Sequence, residues 1–250
     1  MSKSTNRAPW ETGPVFVFTS DIDWASEACI ADLCDTVAGF DVVPTAFVTH
    51  ASSELSRRQR GGSVRLEIHP NFLPGSSHGD TPAGVIDHVL GLVPDAACSR
   101  SHAMYDSSPA LIELVGRGIR YDSNLALYLQ SNLVPLEMWI GIPRFPIFWG
   151  DDIHWRRGGS WDFSAYAERF FTPGLKILSV HPFMFALNIP DHEFYEGHKP
   201  LITRLDAEGM QRMRHAGGGV RTFVLDALAE IRRRGHGFTS LDALYRHWRD

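Results

Sequence analysis

Val15-Phe16-Val17-Phe18-Thr19-Ser20-Asp21-Ile22-Asp23-Trp24 is a β-branched and aromatic run that stops at two acids. Such a run reads as a buried strand. Carboxylates at a strand end stand where α/β folds build their active sites. Asp21 and Asp23 are two residues apart, so both reach one pocket if the strand ends there. One acid can then hold a metal while the other works on a water. A helix N-cap explains one such acid, but two at an apolar strand end need partners of another kind.

Outward from this strand the pattern alternates strand and helix. Further strands are expected at 45–49, 64–68, 97–101, 176–180 and 237–239. A helix follows from about Ser26. Another opens with Ser108 as N-cap and Pro109 at its first position. An amphipathic helix over 220–234 is closed by Gly235, and a last helix is capped by Ser240. Repeated strand–helix units with polar residues at strand ends predict an α/β fold, either a parallel barrel or an open parallel sheet. With no linker, repeat or low-complexity stretch, one domain over 1–250 is expected, its core at about 14–245.

The chain is 250 residues long, 44% hydrophobic and 21% charged, which suffices for one large core. A formal net charge of -5 argues against nucleic acid or an anionic membrane as partner. No apolar run approaches the roughly 20 residues of a membrane span, and the polar segment 1–9 lacks an apolar signal core. The expectation is a cytoplasmic protein without membrane insertion. Cys29, Cys34 and Cys98 are too sparse and oddly spaced for a zinc ribbon and read as reduced core thiols.

Three further stretches carry chemistry. In Glu67-Ile68-His69-Pro70-Asn71-Phe72-Leu73-Pro74-Gly75-Ser76-Ser77-His78-Gly79, His69 ends a strand and His78 follows in a loop able to fold back. Two neutral imidazoles with an acid make a three-ligand site with an open position, the arrangement of a catalytic metal. In Cys98-Ser99-Arg100-Ser101-His102, Arg100 can pair with a pocket carboxylate and hold it ionised, and His102 can line the pocket or replace a ligand. In Leu178-Ser179-Val180-His181, an apolar strand delivers an imidazole able to donate a proton near neutral pH.

The order acid-x-acid, His…His, Arg, Leu-x-x-His resembles the polysaccharide deacetylase (NodB-homology, carbohydrate esterase family 4) superfamily. The stretches His69-Pro70-Asn71-Phe72…Gly75-Ser76-Ser77-His78-Gly79 and Tyr121-Asp122-Ser123-Asn124 are most similar to a divergent branch from O-antigen and amino-sugar gene clusters. The likeness runs from Phe16 to about Leu244 and implies a distorted (β/α)7 barrel. It implies Asp21 as base, Asp23, His69 and His78 as metal ligands, Arg100 as the motif arginine and His181 as catalytic acid. Asp152 is favoured as the acid that tethers other site residues, with Asp151 as its alternative. The sequence departs from the family pattern in three places. Ile22 separates the two acids, eight residues separate His69 from His78, and His102 stands where the family usually has proline. If His78 is not a ligand, His102 and Asn71 are the substitutes.

The function this implies is metal-dependent hydrolysis of the N-acetyl group of an amino sugar, on a small nucleotide- or lipid-linked precursor. Histidine with carboxylate suits one divalent zinc ion, and also cobalt, nickel, manganese or iron. Trp24, Asn71, His102 and Trp149 are candidate substrate contacts, and Trp139, Trp155 and Trp161 are further rings for stacking on a sugar. The basic Arg156-Arg157-Gly158-Gly159-Ser160 loop can hold a phosphate or be a solvated loop. A hydrolase of a non-sugar amide and a non-catalytic carbohydrate-binding relative remain alternatives. Nothing in the sequence sets the oligomeric state.

Overall fold

The computed structural model describes residues 7–250. The opening stretch forms β1, Pro14–Asp21, buried along its last six residues. Its continuous apolar run marks a strand covered on both faces. It is the centre of a ten-stranded sheet whose other members are β2 (Thr45–Val48), β3 (Arg65–Ile68), β4 (Cys98–Ser99), β5 (Tyr121–Asp122), β6 (Leu136–Glu137), β7 (Pro143–Arg144), β8 (Ile147–Gly150), β9 (Gly174–Ser179) and β10 (Phe238–Thr239). The order is β6-β7-β5-β4-β3-β2-β1-β9-β8, with β10 along the first half of β1. Every pairing is parallel except β6 with β7.

The sheet curls until its two ends meet. Ala126 forms a parallel bridge to Ile147, and the amides of Ile147, Leu127 and Leu129 bond across the same seam. The result is the distorted, incomplete (β/α) barrel expected from the resemblance, with the strand ends of β1, β3, β4, β8 and β9 converging on one rim. Helices Glu27–Ala38, Pro182–Leu187 and Val220–Arg233 pack together outside β1 and β9. Ser240 caps the last helix as expected, and Ser26 caps the helix expected from about its position, each accepting from the amide three residues on. The helix expected to be capped by Ser108 starts one residue earlier. Ser107 is its cap, and Ser108 and Pro109 lie in its first turn. Among the described residues no helix is long and apolar enough to cross a membrane.

Two left-handed kinks aim backbone at the rim. Asp23 and Trp24 have φ of 41° and 57°, and Ala103 and Met104 have φ of 55° and 53°. For residues with a Cβ this region costs roughly 1–2 kcal/mol each. Such strain persists only where the surroundings over-determine it, and it concentrates at functional sites. The first kink is held by Trp24 N–H donating to Thr49 Oγ1 (3.1 Å) and Ala25 N–H to the Ile22 carbonyl (2.8 Å).

Candidate active site

Asp21, at the last position of β1, is buried and held by Arg100 from beyond β4. Arg100 Nη1 donates to Asp21 Oδ1 at 2.7 Å, and Ser179 Oγ donates to Asp21 Oδ2 at 3.1 Å. The guanidinium is wholly buried and saturated: it also donates to Thr19 Oγ1, to Ser123 Oγ and to the Ser123 carbonyl, at 2.8 to 3.0 Å. It lies 4.2 Å above the Phe47 ring. Burial alone would push the Asp21 carboxyl up. The charge of Arg100 outweighs it with help from His69 and His181, and the acid is held below its ordinary range.

Asp23, two residues on, meets two imidazoles through one oxygen. His69 Nε2 is 3.2 Å and His102 Nδ1 3.0 Å from Asp23 Oδ1. One ligand atom from each of the three residues fits within a 4.8 Å cluster. Burial raises the Asp23 carboxyl, but the His102 and His69 hydrogen bonds bring it well below its usual value. Burial depresses His102, and Asp23 more than compensates, so its pKa is raised. The parallel register places these groups: Ile68 of β3 faces Ser99 of β4, which sets His69 beside Arg100 and brings His102 round the next turn.

His181 approaches from β9. Its Nδ1 is 2.6 Å from Asp151 Oδ1, its backbone N–H donates to Asp151 Oδ2 at 2.7 Å, and its Nε2 points in, 3.5 Å from Asp23 Oδ2. Burial disfavours the imidazolium, but the Asp151 charge and hydrogen bond dominate, and the pKa rises well above its ordinary value. The register of β8 with β9 pairs Gly150 with Ser179, so the next residue, Asp151, lands beside His181. Asp152, the favoured tether, instead lines the cavity, and burial raises its carboxyl. The tether is its neighbour, because only the first acid of the helix Asp151–Arg156 turns back toward β9.

His78 does not join Asp23. Its Nδ1 accepts from the Asn71 amide (3.1 Å) and its Nε2 donates to the Thr49 carbonyl (2.8 Å), so both ring nitrogens are spent. Burial and the neighbouring histidines depress its pKa to about 4, which keeps that neutral tautomer. It packs behind Trp24, whose ring stands edge-on to His102. Asn71 is likewise taken up locally, its Oδ1 closing a turn onto the Leu73 amide. Trp149 is core: it is 1% exposed, stacks on Phe223 at 4.8 Å and donates Nε1–H to His154. Trp161 donates to the Pro190 carbonyl, and Trp139 is 67% exposed and outside the cavity. Trp155 does line it.

The sequence reading missed the supports. Ser123 holds Arg100. Asn124 holds the His102 turn at both ends, accepting from the Ser101 amide (3.0 Å) and donating to the Tyr105 carbonyl (2.8 Å). Asp122 and Asp106 clamp Arg144 between them. The cavity above these groups measures about 490 Å³ and is walled by Met104, Trp155, Met184 and Tyr195. That volume lies in the ~300–1,000 Å³ range of small-molecule sites.

The model of one family, WbmS-like polysaccharide deacetylases, matches residues 18–199, a span that holds every one of these groups. The chain belongs to that family. A protein of Bordetella bronchiseptica, assigned as a polysaccharide deacetylase involved in O-antigen biosynthesis, has a crystal structure similar to this one. It is 29% identical with a TM-score of 0.77, over 86% of this chain and 89% of that one. A structure assigned as a polysaccharide deacetylase from Mycobacterium smegmatis superposes with a TM-score of 0.54 at 14% identity, over 94% of this chain and 90% of that one, and shares the fold alone. Among curated proteins no sequence matches.

The donor set fits a divalent cation. One carboxylate and two imidazoles on one side of a cavity are borderline donors that leave positions open on the cavity side. Without a cation, one carboxylate oxygen serves two imidazoles.

Proposed function

We propose that the protein is a metal-dependent N-deacetylase of an amino sugar, with Asp23, His69 and His102 as the ligand set. The observation that carries this reading is the opposition of two proton-transfer groups across that set. Asp21 is kept ionised on one side, and Asp151-oriented His181 is kept protonated on the other. Zinc is the favoured ion, and cobalt, nickel, manganese and iron share its ligand preferences. A bound divalent ion supplies Lewis acidity to the acetyl carbonyl and to the attacking water.

The protein groups do the rest. Asp21, fixed by Arg100 and Ser179, takes the proton of the water as it attacks. His181 Nε2 gives its proton to the departing amine, which otherwise leaves too poorly for the amide to cleave. Asp151 holds Nδ1 and so fixes which nitrogen faces the substrate. Met184, Tyr195 and Trp155 wall the site and can cover a sugar face. Family membership and the similar O-antigen protein support a carbohydrate substrate. The test is Asp21→Asn. Acetate release from N-acetylated sugars should fall at least 10³-fold, roughly the scale of a lost general base, with metal content by elemental analysis unchanged. Retained deacetylation would overturn the base assignment.

A further inference from the structure

The cavity is lined by both signs. Buried or half-buried Asp21, Asp23 and Asp152 form its floor, and exposed Arg156, Lys199 and Glu196 stand at its mouth. The two cations are 43 residues apart in sequence and line the same cavity. The Arg156–Ser160 loop does not act as a backbone cradle for anions. The amides of Arg157, Gly158 and Gly159 bond to the carbonyls of Ile153, Trp155 and His154, and that of Ser160 to the Tyr166 hydroxyl. Gly159 sits against the His154 ring, and Arg157 lies over Tyr128, 5.6 Å from its centroid. Arg156 alone of the loop's cations lines the cavity, 6.0 Å from the Trp155 centroid and without an ion pair among the described residues. Lys199 lies 5.5 Å from the Tyr195 centroid and meets Glu196 at 3.4 Å in an exposed i,i+3 pair that holds it weakly. A neutral sugar would leave Arg156 without an ion pair and Lys199 with only that exposed one.

We infer that Arg156 and Lys199 form an anion subsite for a phosphate or diphosphate ester carried by the sugar, so that the substrate is a glycosyl (di)phosphate. This rests on the deacetylase reading above. With the acetamide over the floor, the sugar lies along Trp155, Tyr195 and Met184, and its phosphate reaches the mouth. The guanidinium supplies paired N–H donors, and the ammonium a point charge.

Two measurements test this. The first compares kcat/KM for a nucleoside-diphosphate-linked, a prenyl-diphosphate-linked and a free N-acetyl sugar, in the wild type, Arg156→Gln and Lys199→Gln. The expected result is a preference for one phosphate-linked form, which identifies the source of the phosphate. Each substitution should lower the ratio of phosphate-linked to free-sugar kcat/KM about tenfold, mainly through KM. The second needs no turnover. Lys199 is the exposed lysine of the described residues, Lys176 being fully buried. An amine-reactive probe should label Lys199, with peptide mapping as the readout. Pyrophosphate or a nucleoside diphosphate should slow that labelling severalfold in the wild type and not in Arg156→Gln. Equal kcat/KM on free and phosphate-linked sugars, or labelling indifferent to every phosphate ester, would overturn the subsite and leave the deacetylase reading standing. Protection of Lys199 with no acetate released from any N-acetyl sugar would overturn the deacetylase reading and leave the anion site.

Discussion

Replacing Arg100 by Met should unlock the site electrostatically while nearly preserving side-chain length. The wild-type guanidinium is wholly buried and makes five hydrogen bonds, to Asp21, Thr19, Ser179 and twice to Ser123. Breaking a buried ion pair on one side leaves the other charge uncompensated and costs about 3–5 kcal/mol. For a chain of this size, each kcal/mol moves Tm by roughly 2–4 °C, so a fall of about 6–20 °C is expected. The functional consequence follows from sign. In the native protein Asp21 is held below its ordinary pKa, so its contribution to stability is present above that value and fades as pH falls through the lowered one. Without Arg100, burial acts with less opposition, and the carboxyl rises. The acidic limb of the rate profile should therefore move to higher pH, and the variant should lose more activity at pH 5 than at pH 8. Thermal denaturation and kcat/KM against pH measure both. A variant with native Tm and an unmoved acidic limb would refute the claim that Arg100 sets the charge of Asp21.

His102→Ala should lower metal affinity by at least tenfold, as a lost ligand does, whereas His78→Ala should keep the metal and lose about 1–3 kcal/mol of stability from two orphaned backbone groups; elemental analysis and urea unfolding separate the two, and the reverse pattern would restore His78 as ligand. Asp151→Asn removes the charge that raises His181, so the basic limb of the rate profile should move to lower pH and kcat should fall; a basic limb that stays in place would exclude His181 as the acid. Lys176 is fully buried over the Phe148 ring, and burial lowers its pKa to about 8 from its free-state value of 10.5. The unfolded chain then binds more protons between those values, so stability should rise with pH from about 8 to 10.5. Lys176→Met should abolish that rise and, after losing the Thr172 hydrogen bond, stabilise the fold at pH 7 by about 1–2 kcal/mol in urea unfolding. A destabilised variant would show that the buried amine contributes net stability.

What the sequence made legible was what lies in continuous apolar runs. β1 and β9 read directly because six consecutive residues of each are buried, and their last polar residues, Asp21 and Ser179, mark the rim. β4 lies within the strand expected at 97–101, but β5 to β7 are two residues each, too short for any periodicity to register, and so the far wall of the barrel left no pattern. The choice between Asp151 and Asp152 was closed for another reason. It turns on the register of β8 against β9, which no property of two adjacent aspartates encodes. His78 and His102 differ in the same way. Each lies in a loop near the rim, but the Asn71 amide reaches His78 Nδ1 before any cation could, whereas the left-handed turn at Ala103 and Met104 leaves His102 Nδ1 facing Asp23.

The stretch Tyr121-Asp122-Ser123-Asn124 shows how much of such a site is carried by residues that touch no substrate. Ser123 fixes the arginine that charges Asp21, and Asn124 fixes the turn that presents His102. Asp122 ties this segment to Arg144 and, through it, to Asp106 just past that turn. The base and one ligand thus hang on the four-residue segment that begins with β5, so a shift of that segment moves both together. The acid does not hang on it. His181 depends on β8 and β9 through Asp151, on the other side of the cavity. Base and acid are instead joined directly: β1 pairs with β9 from Pro14 with Gly174 to Thr19 with Ser179, and Ser179 donates to Asp21, so the distance between base and acid is set by that pairing. The β1–β9 register, rather than the β5 segment, governs whether the two proton transfers stay in reach of one substrate.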